Sequence, residues 1–496
     1  MMNSIIYSFL FAFPAAVGLG LLYVLTKVIY NIYFHPLSRF PGPKWAAASN
    51  LFYAFGWTGG RWAFVLEDLH KKYGPVVRFA PNDFYQDIYG TATKGRKQFL
   101  KGESYDQGPG GTRSLVMSNE RDPVKHREAR RLLAPAFSPG ALRAQTAFVV
   151  KYVDMWIEQI KKHGDAAEGI NMDEWYNWLT FDIIGDLAFG ESFGAVENAK
   201  GHEWVPAIKR GIAEGQLIDV FRRVPLLRYF PSLVRGTGNP AHRLANSKRS
   251  KDLVERRLKS GTERADFFSH ITRDKDLDLS LMYLTGQANM LVIAGSETVA
   301  TFLAGTTFYL LRTPRALERL RQELRSAFHR PADINGDTTK ALPYLNAVIS
   351  EGLRIFPPVP AGLPRVSSGD TISGYAVPAG TSVSSSFWTT THSSQYFASP
   401  TSFCPERWLD RDHEFWDDRF VNDVKDASKP FSIGPRACIG VGLAELEMRV
   451  ILARLVWEFE WEAVNGTEVM NWEDDVRMRM LWEKPALWKP REDPVI

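Results

Sequence analysis

A cysteine set between glycines, just ahead of a long helix, constrains this chain more than any other feature of its sequence. Residues 431–440 read FSIGPRACIG, and an apolar helical pattern follows over residues 442–459. Gly434 and Gly440 allow tight turns and a close approach of the backbone to a flat ligand. Cys438 then precedes a helix N-terminus, whose partial positive charge favours a thiolate. By itself a cysteine is more often a small buried hydrophobe, but that interpretation leaves the fixed spacing of its neighbours unexplained.

The same segment matches every fixed position of the haem-binding signature of cytochromes P450, Phe-x-x-Gly-x-Arg-x-Cys-x-Gly, and the chain therefore resembles that family. The resemblance implies that Cys438 is the axial ligand of a haem b iron, with Phe431, Gly434, Arg436 and Gly440 around the cofactor. It also implies a mainly α (α+β) fold, in which a helix-rich body with small β-sheets follows one N-terminal transmembrane helix.

The N-terminus favours a membrane anchor. Residues 1–26 contain no Asp, Glu, Lys or Arg, and residues 5–25 are almost continuously apolar, which meets the roughly 20 residues that a spanning helix needs. A cleaved signal peptide is the alternative, but its apolar region is shorter and follows basic residues that are absent here. The first charge after the run is Lys27, so the positive-inside rule places the remaining chain in the cytoplasm. With the resemblance to microsomal P450s, this predicts a single-pass protein of the endoplasmic reticulum membrane.

The pattern along the chain predicts three parts. We expect an anchor at residues 1–28, a proline-rich hinge at 29–45 and one haem-thiolate catalytic domain at 46–496, because no second linker or repeat follows the hinge. Within the body, helical patterns cover residues 61–73, 122–133, 175–187, 281–311, 314–328, 342–356 and 442–459. Short strands are expected at 76–79 and 84–88, and a hairpin at 371–383.

Composition excludes several other classes of protein. The 496 residues are 45% hydrophobic, so the chain can bury a large core. A net charge of +4 gives no reason to expect a nucleic-acid partner. Two cysteines, Cys404 and Cys438, do not make a disulfide framework, and the histidines lack zinc-site spacing.

Glu351 and Arg354 lie three residues apart on one predicted helix face, where they can pair. Alone, this spacing would indicate a surface ion pair of little energetic value. By resemblance to the family, Arg407 in Pro-Glu-Arg-Trp joins them in a buried structural triad. Trp408 stands where the family usually has Phe.

The central predicted helix carries Ala294-Gly295-Ser296-Glu297-Thr298. The Thr298 hydroxyl can bond the Ala294 carbonyl four residues back, and a mid-helix Gly295 indicates a steric need, since it costs about 1 kcal/mol relative to Ala. From the residues alone, a packed Thr beside a solvated Glu explains the segment equally well. The resemblance implies that Thr298 donates a hydrogen bond during oxygen activation and that Glu297 relays protons.

Three further residues resemble the family's haem-propionate partners: His126 and Arg130, four apart on one helix, and Arg365. His126 replaces the usual Trp. The outer surface of the same helix carries Lys125, Arg127 and Arg131, which either dock an acidic reductase or form an ordinary solvated face.

The substrate pocket is expected to include Ala294, Val359 and Ala361, whose small apolar side chains favour a lipophilic small molecule. The resemblance implies that the chain inserts one oxygen atom from O₂ by hydroxylation or epoxidation. Electrons would come from NADPH through NADPH-cytochrome P450 reductase, with cytochrome b5 as an alternative donor. The segments YFHPLSRFPGPK, KYGPVVRFAPN and HREARRLLAPAFSP resemble fungal enzymes of the trichothecene (isotrichodermin) hydroxylase type, which favours a terpenoid or polyketide-derived secondary metabolite.

Two other functions remain open. A haem-thiolate isomerase or dehydratase would use no oxygen, and Thr298 argues against it. A membrane-anchored haem- or ligand-binding protein without catalysis would not require the acid–Thr pair together with the complete cysteine signature.

Overall fold

The computed structural model describes residues 2–78, 80–81, 88–91, 97–106, 116–164, 169–229, 240–260, 264, 266–271, 279–372, 374–463, 477–479, 481–483 and 489–491. Helices dominate this part of the chain. They are α1 (Met2–Ile29), α2 (Lys44–Ala48), α3 (Leu51–Thr58), α4 (Trp62–Tyr73), α5 (Pro123–Leu133), α6 (Pro139–His163), α7 (Met172–Phe189), α8 (Trp204–Arg223), α9 (Pro240–Ser260), α10 (Phe267–Ile271), α11 (Leu281–Arg312), α12 (Pro314–Ala327), α13 (Pro343–Ile355), α14 (Phe387–Thr391) and α15 (Val441–Glu458). One π-helical turn, Tyr30–Phe34, continues α1.

Local chemistry sets the helix ends. Asp122 caps α5 by accepting hydrogen bonds from the backbone N–H groups of Val124 and Lys125, and Pro123 occupies the first helical position. Ser138 and Ser280 cap α6 and α11 in the same way. Each predicted helix is present, with ends that shift by a few residues, because cap chemistry fixes a terminus within about one turn while packing decides the last residues.

Helix α11 is the centre of the body. It packs against α7, α9 and α13, and most of its side chains are buried. Two helical segments among the described residues are long and apolar enough to cross a membrane, Leu281–Arg312 and Pro14–Phe34. The first is largely buried and is therefore a core helix, whereas the second buries nothing against the body.

The β structure consists of two-stranded antiparallel ribbons. The strands are β1 (Val76–Val77), β2 (Ala80–Pro81), β3 (Arg365–Val366), β4 (Thr371–Ile372), β5 (Tyr375–Ala376), β6 (Ser382–Val383), β7 (Glu460–Glu462), β8 (Arg477–Arg479), β9 (Leu481–Glu483) and β10 (Lys489–Arg491). The pairs are β1–β2, β3–β6, β4–β5, β7–β10 and β8–β9.

Two strand predictions need correction. The predicted hairpin over 371–383 closes early, because β4 pairs with β5, while β6 pairs with β3 near Arg365 instead. Alternation of side chains shows that a segment is extended but not which edge it joins. Of the strand predicted at 84–88, residues 84–87 lie outside the described residues, and Ile88 itself is helical.

Candidate active site

The cysteine loop precedes α15 as the sequence predicts. The backbone N–H of Cys438 donates to the Phe431 carbonyl over 2.8 Å, which closes the loop, and Gly440 directly precedes the first residue of α15. Gly434 has a φ of +73°, and a Cβ there would lie 2.2 Å from the backbone oxygen of Tyr89. Glycine is thus required at position 434 both by its backbone angle and by the close packing of another segment.

The thiol of Cys438 experiences opposing influences. Its side chain is accessible, yet surrounding protein atoms desolvate it, as expected for a group that lines an interior space. This desolvation raises the pKa of the thiol, while the backbone N–H of Gly440 and the Arg130 guanidinium lower it. Desolvation dominates, so the free thiol is not a strong acid; ligation to a metal ion deprotonates a thiol outright.

The segment predicted to take part in oxygen activation, residues 294–298, has the expected local geometry. The Thr298 hydroxyl donates to the Ala294 carbonyl over 2.7 Å, and Ala294 is exposed although α11 is a buried helix. An exposed residue in the middle of a core helix faces an interior space rather than packed protein. Glu297 is 5% exposed, so it is not the solvated surface Glu that the residues alone allowed.

Gly295 serves helix packing. A Cβ at this position would lie 2.5 Å from Cδ1 of Ile184 on α7. The steric need that the sequence indicated is therefore the close approach of α7 to α11, which positions the Thr298 segment from behind.

The predicted propionate partners belong to a cluster of cations. Arg130 donates to the carbonyl of Ala437 over 2.7 Å, next to the cysteine, and Arg365 donates to the Tyr105 hydroxyl over 2.7 Å. Arg436 uses part of its guanidinium to bind the carbonyls of Glu120 and Arg121.

Sequence reasoning missed one member of this cluster. Lys101 is 8% exposed and donates to the Ser118 carbonyl. A single lysine in a loop gives no signal in the sequence; a buried lysine among arginines is visible only in three dimensions.

The cations repel one another. Desolvation and then Arg436, Lys101, Arg130 and Arg365 lower the pKa of His126 to about 3. Desolvation and Arg365 lower the pKa of Arg436 to about 10, and desolvation, Arg365 and Arg436 hold that of Lys101 well below its usual value. The buried carboxylate of Glu120 offsets part of this charge, because it raises the pKa of both Lys101 and Arg436. Buried like charges destabilise a protein unless anions balance them, so the remaining positive charge suits a ligand with carboxylates.

The structure brings Glu351, Arg354 and Arg407 together in the core, with all three side chains at 0% exposure. Arg354 donates through Nε and Nη2 to the two carboxylate oxygens of Glu351 over 2.8 and 2.7 Å. Arg407 contacts Glu351 and also Asp423. These cations hold the pKa of Glu351 below its usual value although desolvation alone would raise it.

Trp408, the departure from the family's element, has a specific contact. Its indole N–H donates to Oε2 of Glu351 over 2.9 Å. The substitution therefore adds a donor to the buried carboxylate, which a Phe could not supply.

The predicted pocket segment, residues 359–363, packs closely against the backbone of Ser385. Ala361 is buried and Val359 is half-buried, and a Cβ on Gly362 would lie 1.6 Å from the Ser385 oxygen. Tyr89, which sequence reasoning also missed, accepts from the Ser385 N–H over 3.3 Å and donates to the Leu363 carbonyl over 2.7 Å. These contacts fix the course of residues 359–363.

Comparisons with known proteins agree with this geometry. The family model described as Cytochrome P450 matches residues 41–490. Cytochrome P450 monooxygenase BOA3 of Botryotinia fuckeliana (strain B05.10) is 45% identical over 468 residues, which cover 92% of this chain and 91% of the relative.

The chain belongs to the cytochrome P450 family. Cytochrome P450 monooxygenase btcC of Colletotrichum orbiculare is 39% identical, covering 96% of this chain and 93% of the relative. Cytochrome P450 monooxygenase poxC of Penicillium oxalicum is 40% identical, and the match covers 94% of this chain and 92% of the relative. The chain is thus a P450 monooxygenase, with haem b as its cofactor and electrons supplied from NADPH through a reductase.

The residues present fit haem. Cys438 offers a sulfur ligand, and the neutral His126 together with the cations Lys101, Arg130, Arg365 and Arg436 offers donors for two propionates. Phe431 packs against the core beside the cysteine loop. When bound, haem supplies the activation of dioxygen, and a thiolate ligand favours cleavage of the O–O bond.

Proposed function

We propose that this P450 inserts one oxygen atom from O₂ into a lipophilic fungal secondary metabolite, terpenoid or polyketide-derived. The Thr298–Ala294 hydrogen bond carries the proposal, because it places a hydroxyl at an exposed point of an otherwise buried helix. The relatives, named as P450 monooxygenases of fungi, support the reaction type. The small apolar residues Ala294, Val359 and Ala361 support a lipophilic substrate.

Each residue has a distinct role in the proposal. Cys438 ligates the iron, and Arg130 and the Gly440 N–H stabilise negative charge on its sulfur. The Thr298 hydroxyl has one proton, which turns from the Ala294 carbonyl to donate at the oxygen-binding side, and the buried Glu297 supplies protons to it. The propionates are held by the side chains of Lys101, His126, Arg130, Arg365 and Arg436. The Glu351–Arg354–Arg407 triad makes the core rigid and takes no part in the chemistry.

The proposal includes the cellular setting. Residues 1–28 anchor the protein in the endoplasmic reticulum membrane, residues 29–45 connect the anchor, and residues 46–496 form the catalytic domain on the cytoplasmic side. An N-terminal apolar helix that buries nothing against the body is compatible with this arrangement. The electron donor is NADPH-cytochrome P450 reductase, with cytochrome b5 as a second possible donor.

The reductase binds the exposed side of α5. Lys125, Arg127 and Arg131 are all exposed there. The association should weaken as ionic strength rises, because surface charges are screened over about 8–10 Å at physiological salt. An affinity that salt leaves unchanged would contradict docking through these charges.

Ligation is tested first, by the spectrum of the reduced, carbon monoxide-bound protein. Wild type should show a strongly red-shifted Soret band, and Cys438→Ser should lose it. Absence of the band in folded, haem-loaded wild type would remove Cys438 from its role.

Turnover is tested with reductase, NADPH and ¹⁸O₂ on a panel of terpenoids and polyketides. One labelled oxygen per product should appear, and Thr298→Ala should consume NADPH with little product. Thr298→Ser, which keeps the hydroxyl, is the matched control. Product formation without NADPH or O₂ would instead indicate an isomerase or dehydratase.

A further inference from the structure

A cleft of about 620 Å³ lies between the segment after α1, helices α3 and α4, and the small sheets. Its walls are largely apolar and include Trp57, Trp62, Leu66 and Val77. Ala361 and Gly362, from the segment that we propose lines the substrate pocket, also line the cleft. The cleft therefore connects the region around the membrane helix with the pocket segment.

The charges along this cleft do not balance. Among the residues that the structure describes, two arginines, Arg78 and Arg223, line it, and no Asp or Glu does. The carboxylate of Asp219 neutralises the charge of Arg223, since Arg223 Nε donates to it over 2.7 Å. The Arg223 guanidinium also lies 4.5 Å from the ring centroid of Tyr53. Tyr53 also donates to Asp219 over 2.9 Å.

Arg78 has no such carboxylate. Its side chain donates to the backbone carbonyl of Asn31 over 2.8 Å, and no ion pair to it occurs among the residues that the structure describes. His35 also lines the cleft; desolvation, then Arg78 and Lys27, lower its pKa, so it is neutral at pH 7. An arginine stays protonated in proteins, so the described lining of the cleft leaves one positive charge without a carboxylate partner.

We propose that this cleft binds a lipophilic anion, an apolar chain with a carboxylate or phosphate head that Arg78 holds. A guanidinium binds either head through paired N–H donors. The inference deepens the proposed function by naming a substrate class, and its binding test requires no turnover. The anion has two possible sources: an acidic lipophilic substrate, or an anionic phospholipid of the bilayer.

Binding is measured directly on the full-length haem protein in neutral detergent. The probes are a terminally brominated dodecanoate and the matching brominated dodecanol, because bromine quenches indole fluorescence on contact and Trp57 and Trp62 line the cleft. The carboxylate should bind about tenfold more tightly than the alcohol, the effect of one charge-assisted hydrogen bond. Trp57→Phe should reduce the quenching amplitude, which locates the probe.

Arg78→Gln should bind both probes with equal affinity, and Arg78→Lys should keep part of the preference. Arg39→Gln is the matched control, since Arg39 lies outside this cleft and its side chain donates to the Ala376 carbonyl. All variants should keep the red-shifted carbon monoxide band, which shows that the fold is intact.

A second pair of variants leaves the Arg78–Asn31 contact in place. Ser49 is exposed and lines the cleft, so Ser49→Asp should neutralise the charge and abolish the carboxylate preference, whereas Ser49→Asn should retain it.

Binding measurements in lipid discs distinguish the two sources of the anion. If a phospholipid head occupies the cleft, adding anionic lipid should weaken carboxylate binding in wild type but not in Arg78→Gln; if binding is unchanged, the ligand is a soluble acid. The proposal is overturned if wild type binds carboxylate and alcohol equally, or if Arg78→Gln and Ser49→Asp both keep the preference. Neither result bears on oxygen insertion into neutral substrates, which turnover tests separately.

Discussion

At the scale of single residues, Cys438 and the buried Glu351 are each held in place by hydrogen bonds with neighbouring groups. Cys438 is held by its neighbours' backbone, and Glu351 by two arginines and an indole. A buried carboxylate is stable only when its hydrogen-bonding capacity is met, so losing any one donor should be measurable.

Trp408→Phe tests this directly. The substitution restores the residue that the family usually has but removes the indole N–H from Glu351 Oε2. We expect a loss of about 1–3 kcal/mol in the free energy of unfolding, the range for a buried acceptor that loses a donor. Trp416→Phe is the control, because the indole N–H of Trp416 donates to the solvent-exposed carboxylate of Asp418. Equal urea midpoints for the two variants would contradict this role for Trp408.

Lys101→Met tests the cation cluster. Lys101 is buried beside Arg365 and Arg436, so its removal should leave the apoprotein equally stable or more stable while weakening its hold on haem. We expect haem transfer to apomyoglobin to accelerate about tenfold, as for loss of one charged hydrogen bond. Lys125→Met, at an exposed position on α5, should transfer haem at the wild-type rate. A tenfold change in both variants would show that the effect is not specific to the cluster.

At the scale of secondary-structure elements, two helices position the site. Helix α15 carries the cysteine loop at its N-terminus, and α11 presents Thr298 with α7 packed behind it. Both helices contain a residue that is unfavourable by itself: Glu447 in α15 and Gly295 in α11.

Gly295→Ala should destabilise the protein. The added Cβ would lie 2.5 Å from Ile184 on α7, and such overpacking costs about 1–3 kcal/mol, more than the gain of about 1 kcal/mol in helix propensity. A double variant with Ile184→Ala should show favourable coupling between the two changes. Gly140→Ala on α6, where a Cβ meets nothing within 4 Å, is the control and should not destabilise. Strict additivity at positions 295 and 184 would exclude the contact.

Glu447 makes the stability of α15 depend on pH. Burial raises its pKa to about 8, and its Oε2 has no hydrogen-bond partner within the described part of the chain. The folded protein therefore binds one proton more than the unfolded chain between about pH 4.3 and 8, so this group lowers stability as pH rises through that window. Glu447→Gln cannot titrate, and its stability relative to wild type should increase from pH 5 to 8 in chemical unfolding. A difference that is constant with pH would show that Glu447 is ionised in the fold.

At the scale of the whole molecule, an apolar helix precedes the body and the cleft of Arg78 opens beside it. Pro14–Phe34 is a candidate span that buries nothing, in contrast to α11. The two segments have similar hydropathy, so only their packing distinguishes an anchor from a core helix.

Deletion of residues 2–28 should convert an integral protein into one that alkaline carbonate extracts from membranes. The full-length protein should stay in the pellet until detergent is added. Both forms should give the same carbon monoxide spectrum, because none of the α1 residues whose burial is described, residues 14–29, belongs to the core. A truncated form that still resists carbonate would show that another part of the chain is integral to the membrane.

The sequence by itself determined whatever depends on local order: the helices, the cysteine loop, the Glu351–Arg354 pair and the Thr298–Ala294 hydrogen bond. These follow from side-chain periodicity, cap chemistry and residue spacing, which act over a few positions. Tertiary structure alone decided that β6 pairs with β3, that Trp408 bonds Glu351, that Lys101 joins the cation cluster, and that Arg78 lines the cleft with no carboxylate beside it among the described residues. Each of these depends on contacts between segments far apart in the chain, and local propensities carry no information about which distant segment arrives at a given surface.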